Sequence, residues 1–191
     1  MILAPWRTPL ARALHRNRSL PHSRYAQLAT VDPQGCPHNR SIVFRGFPAD
    51  TNTLEFITDQ RSEKVSQIYQ NPWGELCWYF PHTREQFRLA GELQIIDNSS
   101  TESPTQTARQ HRWQSLSDTS RQQFTWPHPG HPRTGDLTTD VPDPTTPPDS
   151  FCLLWLHPQR VDHLELRGTP QNRYCYQQDK NQTWTVQEIN P

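Results

Sequence analysis

The chain has 191 residues, enough for one domain of moderate size, and balances 19 Lys+Arg against 19 Asp+Glu. That neutrality argues against a general nucleic-acid binder, which carries a basic excess or patch. The apolar fraction of 32% is low, but 7 Trp, 5 Tyr and 7 Phe without net charge do not suit a disordered chain, so a modest core padded by polar loops is expected.

In chain order, MILAPWRTPLARALHRNRSL is basic and lacks an apolar h-region, so it reads as an amphipathic helix over 6–20 rather than a leader. Trp6, Leu10, Ala13 and Leu14 fall on one helical face. RYAQLATV (24–31) alternates as a strand does, and Asp32-Pro33-Gln34-Gly35 is a tight-turn sequence. HNRSIVFRG (38–46) completes a hairpin, 49–52 turns again, and LEFIT (54–58) is a third strand. SEKVSQIYQ (62–70) changes to a helical period, with Ser62 as N-cap, Val65, Ile68 and Tyr69 on one face, and Asn71-Pro72 as the stop. ELCWYF (75–80) and EQFRLAGELQIID (85–97) are two more strands, with Gly91 marking a bulge or close approach.

From 102 to 125 the strand pattern gives way to one or two helices carrying Ala108, Trp113, Leu116 and Phe124. The Pro-rich stretch 127–149 has no regular period. Strands are expected at 151–156, 161–166 and 173–176, with 184–187 closing a last hairpin over Asp179-Lys180-Asn181. The whole is a single domain, mainly β with flanking helices, in which an insertion of about 102–149 interrupts an antiparallel barrel.

Cys36, Cys77, Cys152 and Cys175 form no C-x-x-C pair, and the histidines no H-E-x-x-H pattern, so no metal site is expected. The cysteines read as free thiols of a cytoplasmic protein. No run of 18 apolar residues exists, so no membrane span is expected.

Three segments carry chemistry. In Asn39–Arg45, alternation puts Arg40, Ile42 and Phe44 on one face and Ser41, Val43 and Arg45 on the other. Such a strand suits a flat ligand, and equally a half-buried sheet with solvated arginines. In Thr58–Lys64 a strand ends and a helix begins; free amides, hydroxyls, Arg61 and Lys64 there suit an anion, or simply a capped helix. In Arg84–Arg88, the Gln86 amide both donates and accepts.

Together, R-S-I-V-F-R (40–45), F-I-T-D (56–59), R-S-E-K (61–64), R-E-Q-F (84–87) and the closing W-T-V-Q-E-I-N-P resemble, in order and spacing, the pyridoxamine 5′-phosphate oxidase-like flavoproteins. That family reads R-x-V-L-L-K, F-Y-T-N, S-R-K and E-R-Q-V at these places. The resemblance implies an FMN-binding antiparallel split β-barrel and a homodimer with flavin at the subunit interface. It further implies that Arg40, Arg61, Ser62 and Lys64 hold the phosphate and ribityl chain, and that Ser41, Ile42, Val43 and Phe44 run beside the ring. Arg45 lies near flavin and substrate; Ile57 and Thr58 take the Y-T positions; Gln86 and Arg173 contact the ring. Arg45 and Arg133 are the candidates for a substrate phosphate.

The sequence departs from the pattern at Glu63, where the family has Arg, and at Ile57, where it has Tyr. It also replaces the family's R-L-H-D-R stretch with Gly168-Thr169-Pro170-Gln171-Asn172-Arg173. The expected function is therefore an FMN-dependent oxidoreductase acting on a small substrate, phosphorylated or not. The alternatives are a non-catalytic flavin protein and a barrel for haem or deazaflavin. No acid–base catalyst stands out; His38, His82 and His128 are the nearest candidates. Trp113–Arg133 reads either as a lid, with Trp126 or Arg133 reaching inward, or as an exposed insertion packing its own tryptophans.

Overall fold

A computed structural model describes residues 3–48, 51–133 and 135–191. The expected turn at 49–52 lies partly outside them. Helix α1 (Arg7–Asn17) buries Leu10 and Ala13, with Trp6 buried just before it. Strands β1 (Tyr25–Val31) and β2 (Pro37–Val43) form the expected hairpin. In its turn Gly35 adopts φ +83°, and the Asp32 carboxylate accepts from the Gln34 and Cys36 amides at 3.0 and 2.8 Å.

Strand β3 (Leu54–Asp59) leads into helix α2 (Glu63–Gln70), followed by β4 (Trp73–Phe80) and the long β5 (Glu85–Ile96). Helices α3 (Ser103–Gln114) and α4 (Asp118–Gln122) open the insertion; β6 (Phe151–Glu165), β7 (Asn172–Gln178) and β8 (Trp184–Glu188) close the chain.

The strands run in the order β2-β1-β4-β5-β6-β7-β8, and β3 pairs with β6. A bridge, Gly46↔Glu55, links the β2 end to β3 and completes a split barrel. The interior holds the inward positions of alternating strands, among them Leu28, Leu76, Trp78, Phe80, Phe87 and Leu89. Each such side chain stabilises the fold by about 1.5–3 kcal/mol through removal from water. Trp78 also satisfies its indole N–H on the Ser23 carbonyl at 3.0 Å.

The structure corrects two local expectations and bears out a third, the Ser62 N-cap, in position only. Residues 151–165 form one continuous strand rather than two. Its register against β5 shifts at Ala90/Gly91, opposite Pro158, so the proline sits at a bulge. A side chain at Gly91 would sit on the His157 carbonyl, which explains the glycine. Ser62 occupies the N-cap of α2 without a side-chain capping bond; its hydroxyl donates to the Asp59 carbonyl at 2.6 Å instead. Tyr69 is exposed rather than packed with Val65 and Ile68, because its hydroxyl reaches out to the Asp97 carboxylate at 2.7 Å.

The insertion is not a free flap. Trp113, Leu116 and Phe124 pack with Ile96, Phe151 and Leu153 in a second small core. Arg109 ties this to the barrel by donating to the Phe151 and Pro148 carbonyls at 3.0 and 2.7 Å. Beyond Thr125 the described residues form no regular element until β6, as the composition implies. No helix among the described residues is long and apolar enough to cross a membrane.

Candidate functional site

Where β2 and β3 meet, Arg45 N donates to the Glu55 carbonyl at 2.8 Å beside the Gly46↔Glu55 bridge. No further pairing joins the two strands among the described residues, and a groove of about 360 Å³ opens between them. One wall is Arg40–Val43 and Arg45; the other is Ile57, Thr58 and Asp59 with Lys64 of α2. Gln123, Phe124, Trp126 and Pro129 of the insertion line a third side.

The groove gathers positive charge. Arg40 is fixed by donating to Thr30 Oγ1 at 2.5 Å, the His38 carbonyl at 3.1 Å and Gln67 Oε1 at 3.1 Å. Lys64 Nζ lies 2.9 Å from both Thr58 Oγ1 and Ser62 Oγ. Among the described residues neither cation has a carboxylate within 4.0 Å, and neither does Arg45. Burial, then repulsion from Arg40, pushes the Lys64 ammonium below its ordinary range. Burial likewise lowers Arg40 and Arg45, the latter helped by Arg112 and Arg24. Arg45 Nε is buried and has no hydrogen-bond partner. The arrangement is an unneutralised cationic pair at one end of the groove and an unmet donor at the other.

The expected site residues divide. Arg40, Ser41, Ile42, Val43, Arg45, Ile57, Thr58 and Lys64 line this one cavity. Ser62 stands behind it, bonded to Thr58 and Lys64. Phe44 turns away into the core, 5% exposed and packed on Trp78. Arg61 is closed on Asp59 by two bonds of 2.9 and 2.6 Å, which raises its pKa and spends its charge. Gln86 and Arg173 do not reach the groove. They are aligned across β6 through Leu164, on the outward face of the sheet, and Arg173 shares the buried Asp162 with Arg88. Arg133 lines an adjoining pocket, and Trp126 lines both. Of the three histidines, His38 is paired with Asp32 at 3.0 Å and His128 lies in the adjoining pocket; neither it nor His82 lines the groove.

The lid reading of Trp113–Arg133 covers Gln123, Phe124 and Pro129 without naming them as groove residues, and sequence reasoning missed the two side chains that hold Arg40. Gln67 carried a signal: a polar residue between Val65 and Ile68 on a helix, 3% exposed and bonded to Thr30 at 2.6 Å. It also missed the buried pair at the far end of β5, where His163 Nε2 lies 2.8 Å from Glu85 Oε2 with its ring stacked on Phe87. Glu165 Oε1 is 3.9 Å from the same nitrogen. Because that nitrogen is engaged by Glu85, the trio reads as a buried hydrogen-bonded cluster in the barrel wall.

Residues 3–97 match the family model described as pyridoxamine 5′-phosphate oxidase, FMN-binding domain. Pyridoxine/pyridoxamine 5′-phosphate oxidase 2 of Arabidopsis thaliana is 36% identical over 196 residues, covering 99% of this chain and 98% of the relative. The crystal structure of a pyridoxamine 5′-phosphate oxidase-related, FMN-binding protein from Nostoc punctiforme superposes with a TM-score of 0.97 at 56% identity, over 100% of each chain. PhzG of Burkholderia lata, solved with tetrahydrophenazine-1-carboxylic acid, shares the fold at TM-score 0.81 and 17% identity, over 100% of this chain and 94% of that one.

Proposed function

Because the chain belongs to the pyridoxamine 5′-phosphate oxidase FMN-binding family, we propose that its β2–β3 groove binds FMN and that it works as a homodimeric FMN-dependent oxidoreductase on a small substrate. The observation that carries this reading is the pairing of Arg40 and Lys64, two part-buried cations without a carboxylate, on one cavity.

The residues present fit the cofactor. A phosphate between Arg40 and Lys64 would receive charge-assisted bonds from both, with the Thr58 and Ser62 hydroxyls and the start of α2 beside it. At the other end, the unpartnered Arg45 Nε is a donor awaiting the polar edge of a ring or a substrate anion. Between them Ile42, Val43 and Ile57 provide apolar contact. Bound FMN supplies hydride-accepting chemistry. The chain's own residues bind and orient: the cations fix one end, the β2 backbone the length, and Phe124 and Trp126 exclude water from one side. Asp59 faces the groove but is tied to Arg61, so the site offers no free carboxylate as a base. Arg45 is the substrate-side cation.

The homodimer draws support from the outward sheet face. Tyr25, Trp73 and Tyr79 are exposed there, on the same face as Gln86 and Arg173. Exposed aromatics in that number mark an interaction surface. In the dimer we propose, the Gln86–Arg173 cluster of one protomer completes the groove of the other.

The test is the visible spectrum and mass of whatever copurifies with the protein, with its sedimentation state. The reading expects a yellow dimer releasing a non-covalent flavin, bleached under anaerobic conditions by an oxidisable substrate. A colourless protein that takes up no flavin contradicts it.

A further inference from the structure

On the reading that the β2–β3 groove binds flavin, we propose that the exposed arginines of α1 and of the turn after it form a track that draws phosphorylated ligands to the Arg45 end of the groove and sets the rate of their capture. Residues 1–31 contain Arg7, Arg12, Arg16, Arg18 and Arg24 and no Asp or Glu, in a chain whose total charge is zero. Leu10 and Ala13 bury one face of α1, which leaves Arg12, Arg16 and Arg18 exposed. Arg24 ends the short turn Pro21–Arg24 and is exposed as well. None of these four is in an ion pair among the described residues. Basic side chains at a helix C-terminus complement its dipole, which accounts for Arg16 and for Arg18, whose guanidinium donates to the His15 carbonyl at 2.9 Å. It does not account for Arg12, in mid-helix, or for Arg24, outside the helix.

The track runs into the groove. The Arg24 carbonyl accepts from Phe44 N at 2.8 Å, so Arg24 stands beside the residue that precedes Arg45. A cavity of about 270 Å³, lined by Leu14, Arg18, Arg24 and Phe44 among others, joins α1 to that point. Burial and then the charges of Arg112 and Arg24 act against the charged form of Arg45, so the two ends of the track feel each other. Glu55, at the same end, is held by Arg112 at 2.6 Å. From Arg45 the groove wall leads along β2 to Arg40, with Lys64 opposite. An incoming phosphate therefore meets one cation after another. Because α1 closes on the barrel interior through Trp6, Leu10 and Ala13, its arginines lie away from the outward sheet face.

The other approach is acidic. Between Arg133 and Arg160 the chain carries Asp136, Asp140, Asp143 and Asp149 and no Lys or Arg. This stretch lies on the insertion: the Trp113 indole donates to the Asp143 carbonyl at 2.8 Å, and that of Trp126, which lines the groove, to the Thr138 carbonyl at 3.3 Å. The groove thus opens between a positive ridge and a negative ribbon. A field of that shape concentrates anions on one side and raises association rates by roughly tenfold or more.

The test is stopped-flow binding of FMN to the cofactor-free full chain. Wild type is compared with a combined Arg12→Gln, Arg16→Gln, Arg18→Gln and Arg24→Gln variant and with the same four arginines changed to Lys. At about 10 mM ionic strength the Gln variant should associate at least about fivefold more slowly, with dissociation within about twofold of wild type. The Lys variant should keep the wild-type rate. At about 1 M salt all three should associate alike, because the screening length falls to ~3 Å. An unchanged association rate in the Gln variant, a deficit that survives high salt, an effect confined to dissociation, or a Lys variant as slow as the Gln one would overturn the inference. FMN that binds none of the three proteins would overturn the groove reading, and the track with it.

Discussion

At the β2–β3 groove, Arg40 and Lys64 form no ion pair among the described residues, whereas on the outward sheet face Arg88 and Arg173 converge on Asp162, which is 3% exposed. The second cluster is internally neutralised. Burial pushes Asp162 up, but its bond to Arg173 and the charges of Arg173 and Arg88 outweigh that and hold it low. Such a cluster consolidates a sheet. The first is left unbalanced, with burial and mutual repulsion both acting against the charged form of Lys64. Cations kept in that condition cost stability on their own, which is what an anion in the proposed site would offset. On the proposed reading, the contrast separates a neutralised cluster, which holds the sheet and fixes Arg173 in place, from cations that await an anion.

The largest effect that would break the contrast comes from the groove. Arg40→Ala with Lys64→Ala removes two charge-assisted bonds, so FMN affinity should fall by about 3–6 kcal/mol in a fluorescence titration. Unfolding of the cofactor-free protein should move far less. Asp162→Ala should do the reverse: it strands two half-exposed arginines and should cost about 1–3 kcal/mol in a denaturant melt, whether or not flavin is present.

A pH series sharpens the difference further. A bound phosphate raises the Lys64 pKa from its lowered free value. Affinity is therefore full below the free pKa and is lost as pH rises through the bound one. FMN binding should weaken on the alkaline side, and Lys64→Arg should move that limb to higher pH. The smallest effect belongs to Arg61→Ala combined with Asp59→Asn. That pair is self-contained and part-exposed, so FMN affinity should change by less than about 0.5 kcal/mol. A large loss would show that Arg61 grips the phosphate after all.

The legible parts of the molecule are those set by local pattern. The D-P-Q-G turn, the helical switch after Asp59, the bulge glycine Gly91 and the R-S-I-V-F-R strand all follow from neighbouring residues. What escaped depends on distant partners. Residues 151–165 looked like two strands because Pro158 interrupts them, and only the facing Gly91 makes the proline tolerable. Phe44 belongs to the ring-side motif by resemblance, yet strict alternation with Ile42 sends it into the core. Arg61 carries a motif position but meets Asp59 across the tight start of α2. Gln86 and Arg173 lie far apart in sequence and align only through Leu164 of β6. Gln123, Phe124 and Pro129 sit in the segment whose pattern suited a lid and a self-packed insertion equally, so the pattern alone did not aim them at the groove.

The central claim is that Arg40 and Lys64 share one anion. A crystal structure of the protein grown with FMN tests it most directly. The phosphate should lie within hydrogen-bond distance of Arg40, Lys64 and the Ser62 or Thr58 hydroxyl, with the ring alongside Ser41–Val43. A flavin phosphate bound away from both cations, or a groove that admits no flavin, would contradict it.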